Sequence, residues 1–236
     1  MLLITGDTHG MRDRMEVLLD YLASCPQSEE KYLLICGDFG YLFRNSQEEQ
    51  AYLDQLDEEL AARRAVIAFC DGNHENFDAL DSLPVSQWQG GQVHLLRPRI
   101  VHLMRGQCFT LEGKTFFVLG GGASLDKAWR VAAELAIGEK SWWSQELPSN
   151  EDYHAASGTL SAHRFTFDYV ITHTAPQSMI YQMGFFPSPK EQELTGYLDW
   201  VRTEASYKHW YFGHFHLDEE VDEKHTCLLN EIHRLE

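Results

Sequence analysis

Carboxylate, imidazole and amide side chains recur in five short clusters along this chain. They are Asp7 and His9 in GDTHG, Asp38 in GDFG, Asn73 and His74 in GNHE, His173 in THTAP, and His214 and His216 in GHFH. Together they are the raw material of a metal-assisted hydrolytic site, in which a cation lowers the pKa of water and draws charge from the bond under attack. Taken singly, each cluster is weak evidence. Asp-x-His is commonly a turn beside a surface histidine, and Gly-Asn-His is commonly an αL turn. His-x-His on a strand puts two rings on one face without requiring a metal. The joint pattern, each cluster closing an apolar run, carries the weight.

Those apolar runs are residues 2–5, 32–36, 66–70, 168–172 and 209–212. Short continuous apolar runs suit strands buried on both faces. Residues 11–24 place Met15, Leu18, Leu19 and Leu22 at helical spacing. Residues 46–64 open with a Ser-Gln-Glu-Glu capping box and carry Leu53, Leu56 and Leu60 on one face. Strand, polar turn, helix and strand in succession imply an α/β fold with right-handed crossovers. In open α/β sheets ligands gather at the carboxyl ends of strands, so clusters far apart in sequence can share one crevice.

The middle of the chain reads differently. Residues 93–96, 100–104, 108–111 and 115–119 predict closely spaced strands, with Glu112-Gly113-Lys114 as a hairpin turn and antiparallel pairing. Residues 120–164 begin with a glycine run and continue through DKAWR and Trp142-Trp143 into helix-like sequence, a candidate lid or insert. Residues 188–209 predict another helix with Leu194, Tyr197, Leu198 and Val201 on one face, and 225–232 an edge strand. With no internal repeat and no Pro/Ser-rich linker, one domain over 1–236 is the simplest reading.

Composition narrows the function classes. Lys+Arg total 19 against 36 Asp+Glu, a net charge of −17 that disfavours broad nucleic-acid binding. Most of that charge reads as a solvated surface, with a few acids left to balance cations. No apolar run approaches the ~20 residues that cross a bilayer. MLLITGDTHG lacks a basic leader and reads as a strand, not a signal peptide. The five cysteines are odd in number and lack Cys-x-x-Cys spacing, so reduced thiols in a cytoplasmic protein are expected.

The order D-x-H, G-D, G-N-H-E, strand-borne H and G-H-x-H resembles the calcineurin-like metallophosphoesterase superfamily, in its bacterial and phage-type members. The motifs span residues 6 to 216. The resemblance implies a four-layer α/β/β/α sandwich of mixed sheets flanked by helices. It also implies a dinuclear metal-dependent hydrolase of phosphate monoesters or diesters. Matched residue by residue, a first metal would take Asp7, His9, Asp38 and His216, and a second Asp38, Asn73, His173 and His214, with Asp38 bridging. A donor set of carboxylate, imidazole and amide oxygen without thiolate suits Mn or Fe, then Zn, with Mg less favoured. Two such ions ~3.5–4 Å apart activate a bridging water and clamp phosphoryl oxygens. His74 would be the general acid for the leaving group or a holder of phosphate. Glu75 would support its neighbours by hydrogen bonds, or stand exposed.

The protein serine/threonine phosphatases share GDxHG and GNHE, but their GDxVDRG is here GDFGYLFR, with Arg44 six residues past Asp38. That branch also does not use His-x-His. Phosphoprotein therefore remains only one substrate option beside a small phosphorylated compound. Arg44 either contacts substrate phosphate or is a surface arginine after a turn. GGGASLDKAWR lacks the P-loop arrangement, and Arg130 within it is a second candidate phosphate contact. Trp142 and Trp143 read as core or lid packing ahead of a base-stacking platform. Two other readings compete: a nuclease of the same fold, given a local groove from Arg44, Lys127 and Arg130, and a non-catalytic metal-binding scaffold.

Overall fold

The computed structural model describes residues 1–236 and turns each apolar run into a strand. The first half runs β1 (Leu2–Thr5), α1 (Arg12–Ser24), β2 (Lys31–Ile35), α2 (Gln47–Ala62) and β3 (Ala65–Cys70). The three strands are parallel and in register, Leu3 beside Leu33 and Leu33 beside Ile67. Ser46 caps α2 as the sequence predicts: its hydroxyl accepts from the Glu49 N–H, and Glu49 reaches back to the Ser46 N–H. Met15, Leu18 and Leu22 of α1 and Leu53, Leu56 and Leu60 of α2 are the buried stripes. Full burial of each such leucine is worth about 1.5–3 kcal/mol.

The chain continues through α3 (Phe77–Asp81), β4 (Val85–Trp88), β5 (Gly91–Arg97) and β6 (Ile100–Leu103), then β7 (Gln107–Leu111) and β8 (Lys114–Leu119). Glu112 and Gly113 both have positive φ, 50° and 75°, as a tight turn between β7 and β8 requires. After them come α4 (Lys127–Ile137), a 3₁₀ turn at Ser144–Glu146 and α5 (Asn150–Ala162). The chain then forms β9 (Tyr169–Thr172), α6 (Gln177–Gln182), α7 (Gln192–Glu204) and β10 (His209–Phe212), ending with β11 (Glu219–Asp222), β12 (His225–Cys227) and β13 (His233–Leu235).

Two mixed sheets result, ordered β13-β1-β2-β3-β6-β5-β4 and β11-β12-β10-β9-β8-β7. Alternation along the strands sorts side chains into layers. Leu2, Ile4, Leu34, Val66 and Ala68 meet Phe116, Val118, Ile171 and Tyr211 between the sheets. Leu3, Leu33, Ile35 and Ile67 face outward under α1 and α2. Phe117, Val170, Trp210 and Phe212 face outward under the α5 and α7 residues Leu160, Leu194 and Leu198. The product is a helix–sheet–sheet–helix sandwich, as the resemblance implied.

Some details depart from expectation. The predicted antiparallel block is split between the sheets: β5 pairs antiparallel with β6 and β7 with β8, but β6 joins β3 and β8 joins β9 in parallel. Residues 225–232 are not one edge strand. β12 lies inside its sheet between β11 and β10, and β13 forms the edge of the other. The helix expected from residue 188 begins at Gln192, after a turn over residues 189–191 in which the Glu191 carboxylate accepts from the Ala123 N–H. Within 120–164, α5 packs into the outer helical layer while α4 has one buried residue, Arg130.

Candidate metal centre

β1, β2, β3, β9 and β10 bring their carboxyl ends to one rim, and the loops leaving them carry Asp7, Asp38, Asn73, His173 and His214. Backbone bonds lace these loops together: the Thr8 and His9 N–H groups donate to the Asp38 carbonyl, at 3.1 and 2.7 Å. Two glycines permit the approach. A Cβ on Gly72 would lie 2.0 Å from Asp38 Oδ1, and one on Gly213 would lie 2.1 Å from Asp7 Oδ1. His9, Asp38, His214 and His216 all have φ between 49° and 68°, the left-handed region. Non-glycine residues there are uncommon and collect at functional sites.

Asp7, His9, Asp38 and His216 form one group whose donor atoms all lie within 4.8 Å of one another, a cluster that could hold a metal ion. His9 Nε2 and His216 Nε2 are 2.9 Å apart, and they lie 3.6 and 3.5 Å from Asp7 Oδ2. His9 Nδ1 is 3.6 Å from Asp38 Oδ2. A second group forms around the other oxygen of Asp38. His173 Nε2 lies 3.5 Å from Asp38 Oδ1, 3.0 Å from Asn73 Oδ1 and 3.2 Å from His214 Nδ1. Ligand atoms ~2.0–2.2 Å from one cation stand roughly 3 Å apart, so the spacings of the first group suit one shared ion.

The neighbours hold the donors in that orientation. His173 Nδ1 donates to the Cys36 carbonyl (2.8 Å), which leaves Nε2 bare. The Asn73 amide nitrogen donates to Ser124 Oγ (3.2 Å), which turns Oδ1 into the site. His214 directs Nε2 toward the buried Glu191, whose Oε1 is 3.6 Å away. A carboxylate behind a ligating imidazole is a recurrent way of fixing its tautomer and raising its basicity. Glu75 is buried, not exposed, and accepts from the Phe39 and Gly40 N–H groups at 2.7 and 3.3 Å, which fixes the Asp38 loop. Asp71 is clamped by Arg105, whose Nε donates at 2.8 Å and whose guanidinium also donates to the Gln145 carbonyl. Ser124, Glu191, Asp71 and Arg105 were not singled out in the sequence. Only the fold brings them to these loops.

Burial alone would raise the Asp38 carboxyl, but the His173, His74 and His9 imidazoles and the His74 N–H hold it down at about 2. It is therefore an ionised acceptor facing both groups. Burial lowers His9 and His173, yet the Asp7 and Asp38 charges outweigh it and raise both. Those buried negative charges beside convergent imidazoles are what a divalent cation would balance.

His74 stands beside the first group, its ring 5.0 Å from that of His9. Burial lowers its pKa to about 4, with the Arg130 charge acting in the same direction. Arg130 is buried, with its guanidinium held by neighbouring groups. Its Nε donates to Asp126 at 2.8 Å and its Nη1 to the Ser141 carbonyl, while Nη2 lies 2.7 Å from His74 Nδ1. Arg44 is exposed, ion-paired with Glu139 at 3.2 Å, and lines the cavity next to His74 without contacting that ring. Trp143 is buried and packs edge-on to Phe43, while Lys127 Nζ sits 3.5 Å from the Trp142 ring.

With this geometry in view, the chain belongs to the calcineurin-like phosphoesterase family, whose model matches residues 1–218. That family makes it a metal-dependent phosphoester hydrolase in general terms. No curated protein matches the chain. Among 17 matching chains of solved structures, one crystal structure aligns with 96% of this chain and 88% of its own. It is 12% identical, with a TM-score of 0.43. No helix is long and apolar enough to cross a membrane.

Proposed function

We propose that the chain hydrolyses a phosphate monoester or diester with two metal ions, Mn or Fe by the donor set, held side by side at the strand ends. The observation that carries this reading is the division of Asp38, with Oδ2 toward His9 and Oδ1 toward His173. Asp7, His9 and His216 complete one ligand set, and Asn73, His173 and His214 the other. When bound, the ions supply Lewis-acid charge and a water ionised near neutral pH.

His74 and Arg130 serve the ester side. In the resting arrangement Arg130 Nη2 lies 2.7 Å from His74 Nδ1 and 2.9 Å from its Nε2, so the guanidinium sits against the imidazole. A phosphoryl anion arriving beside them takes the Arg130 Nη2 donor and raises the His74 pKa by its charge. His74 then carries a proton to the leaving oxygen as the water oxygen forms its bond to phosphorus. The five free cysteines fit a reducing compartment such as the cytoplasm. The nuclease alternative finds little support, because Arg44 and Arg130 are paired with acids and Lys127 lies over Trp142.

The test is to measure metal per chain, then Mn²⁺-dependent turnover of 4-nitrophenyl phosphate against bis(4-nitrophenyl) phosphate. Reconstituted protein that turns over neither ester overturns the reading. His74→Ala is expected to retain both ions while turnover falls about 10²–10⁴-fold, most for poor leaving groups. An unchanged rate removes the role given to His74.

A further inference from the structure

Beyond His74 the site opens into a cavity of about 910 Å³. One wall is α4, where Trp129, Ala133 and Ile137 recur every four residues and all face the space. Trp129 is 70% exposed and Ile137 69% exposed, so this stripe has no adequate partner inside the fold. Opposite stand Phe43, Asn76 and Ala79, with Trp143 edge-on to Phe43 at a centroid distance of 5.7 Å. Large apolar side chains left open at the mouth of a site regain their burial when a ligand covers them.

Charge and shape limit what that ligand is. The cations around the cavity already have acidic partners: Arg44 with Glu139 at 3.2 Å, Lys140 with Asp78 at 2.6 Å, and Arg130 with Asp126 at 2.8 Å. A polyanion such as a polynucleotide would meet little unpaired positive charge here, on a chain of net charge −17. The first two pairs also tie the segment after α4 to the loop after β2 and to α3, so the cavity is bounded by two walls and is not a flat surface. A concave site of roughly 300–1,000 Å³ is the size of small-molecule pockets, and this one sets an apolar stripe among polar and charged side chains.

We infer that this cavity receives the leaving group, and that the substrate is a small phosphoester whose aryl or heteroaryl leaving group stacks on Trp129. The inference rests on the phosphoesterase reading above. Water oxygen bonds to phosphorus, the ester P–O bond breaks, and the aromatic alcohol departs with a proton from His74. Trp129 positions the leaving group and takes no part in bond making. A small aromatic group fits better than a phosphopeptide, whose chain would have to cross the Arg44–Glu139 and Lys140–Asp78 pairs.

The test compares phenylphosphonate with methylphosphonate, which cannot be hydrolysed, by calorimetry on Mn²⁺-loaded protein. Phenylphosphonate is expected to bind about fivefold or more tightly than methylphosphonate. Trp129→Ala is expected to abolish that preference and Trp129→Phe to restore most of it. Trp129 is exposed, so neither substitution threatens the fold. Equal affinities, a preference that survives Trp129→Ala, or tighter binding of a phosphoserine peptide or short oligonucleotide each overturn the inference. A Trp129-dependent preference without turnover of phenyl phosphate supports the aromatic site and counts against hydrolysis alone.

Discussion

Gly72→Ala places a methyl carbon 2.0 Å from Asp38 Oδ1, 2.5 Å from the Asp38 nitrogen and 2.8 Å from its Cγ. An ordinary non-bonded approach is about 3.5 Å, so the overlap is near 1.5 Å. Rotating the carboxylate does not relieve it, because the backbone nitrogen is also in the way. The Asp38 loop must move. Metal sites hold their ligand distances to within about 0.2 Å, and a 1 Å misplacement near the chemistry can cost ~10²-fold in rate. Overpacking of this kind destabilises by about 1–3 kcal/mol, several degrees of melting temperature for a chain of this size. The expected outcome is early loss of the ion on the Oδ1 side, weaker retention of the other, and turnover reduced ~10²-fold or more. Gly213→Ala, whose methyl would sit 2.1 Å from Asp7 Oδ1, should weaken the His9–His216 side first. Gly158 in α5 is the control: its added methyl meets nothing within 4 Å. Gly158→Ala should raise stability by about 0.5–1 kcal/mol and leave turnover as it was. The assay is metal per chain by mass spectrometry, with aryl phosphate turnover and thermal melting on the same samples. Gly72→Ala protein holding two ions with unaltered affinity and turnover would refute the close-approach argument.

Two further outcomes follow from buried groups. Glu191→Gln keeps the acceptor for the Ala123 N–H but removes the charge 3.6 Å from His214. Metal affinity should fall about 10–100-fold at little cost in melting temperature, and competition with a chelator reads this directly; equal affinities would dismiss the role of Glu191. Burial, aided by the facing His102, pushes the His94 pKa down to about 4. The unfolded chain then binds this proton more readily than the fold does, so the His94 contribution is complete above pH ~6.5 and is lost as pH falls toward 4. Melting curves across that window should fall less steeply for His94→Leu than for the parent, and parallel slopes would contradict the assignment.

Much of the architecture was legible in residue order. Runs such as LLIT and VIAFC are apolar without alternation, as strands buried on both faces must be, and they became β1 and most of β3. Ser46 and Glu49 announced the start of α2 through a local hydrogen-bond exchange. The candidate ligands were legible as well, since chemical type and position after a strand are properties of the sequence. The strands after Phe212 were harder to read: β12 and β13 have three residues each, too few for a period to register.

Other features exist only in the folded chain. Asp38 faces two donor groups because β9 and β10 of the second sheet bring His173 and His214 against β2 of the first. Arg130 reads in sequence as a candidate phosphate contact after a glycine run, and only the folded α4 sets it against His74. Glu191 lies 23 residues before His214 and 68 after Ala123, with no local pattern linking the three. The residue types and periods along this chain determined what chemistry it can hold and which segments fold. Tertiary packing alone decided which imidazole nitrogen, carboxylate oxygen and supporting acid meet, because contacts between distant residues leave no mark on the local sequence.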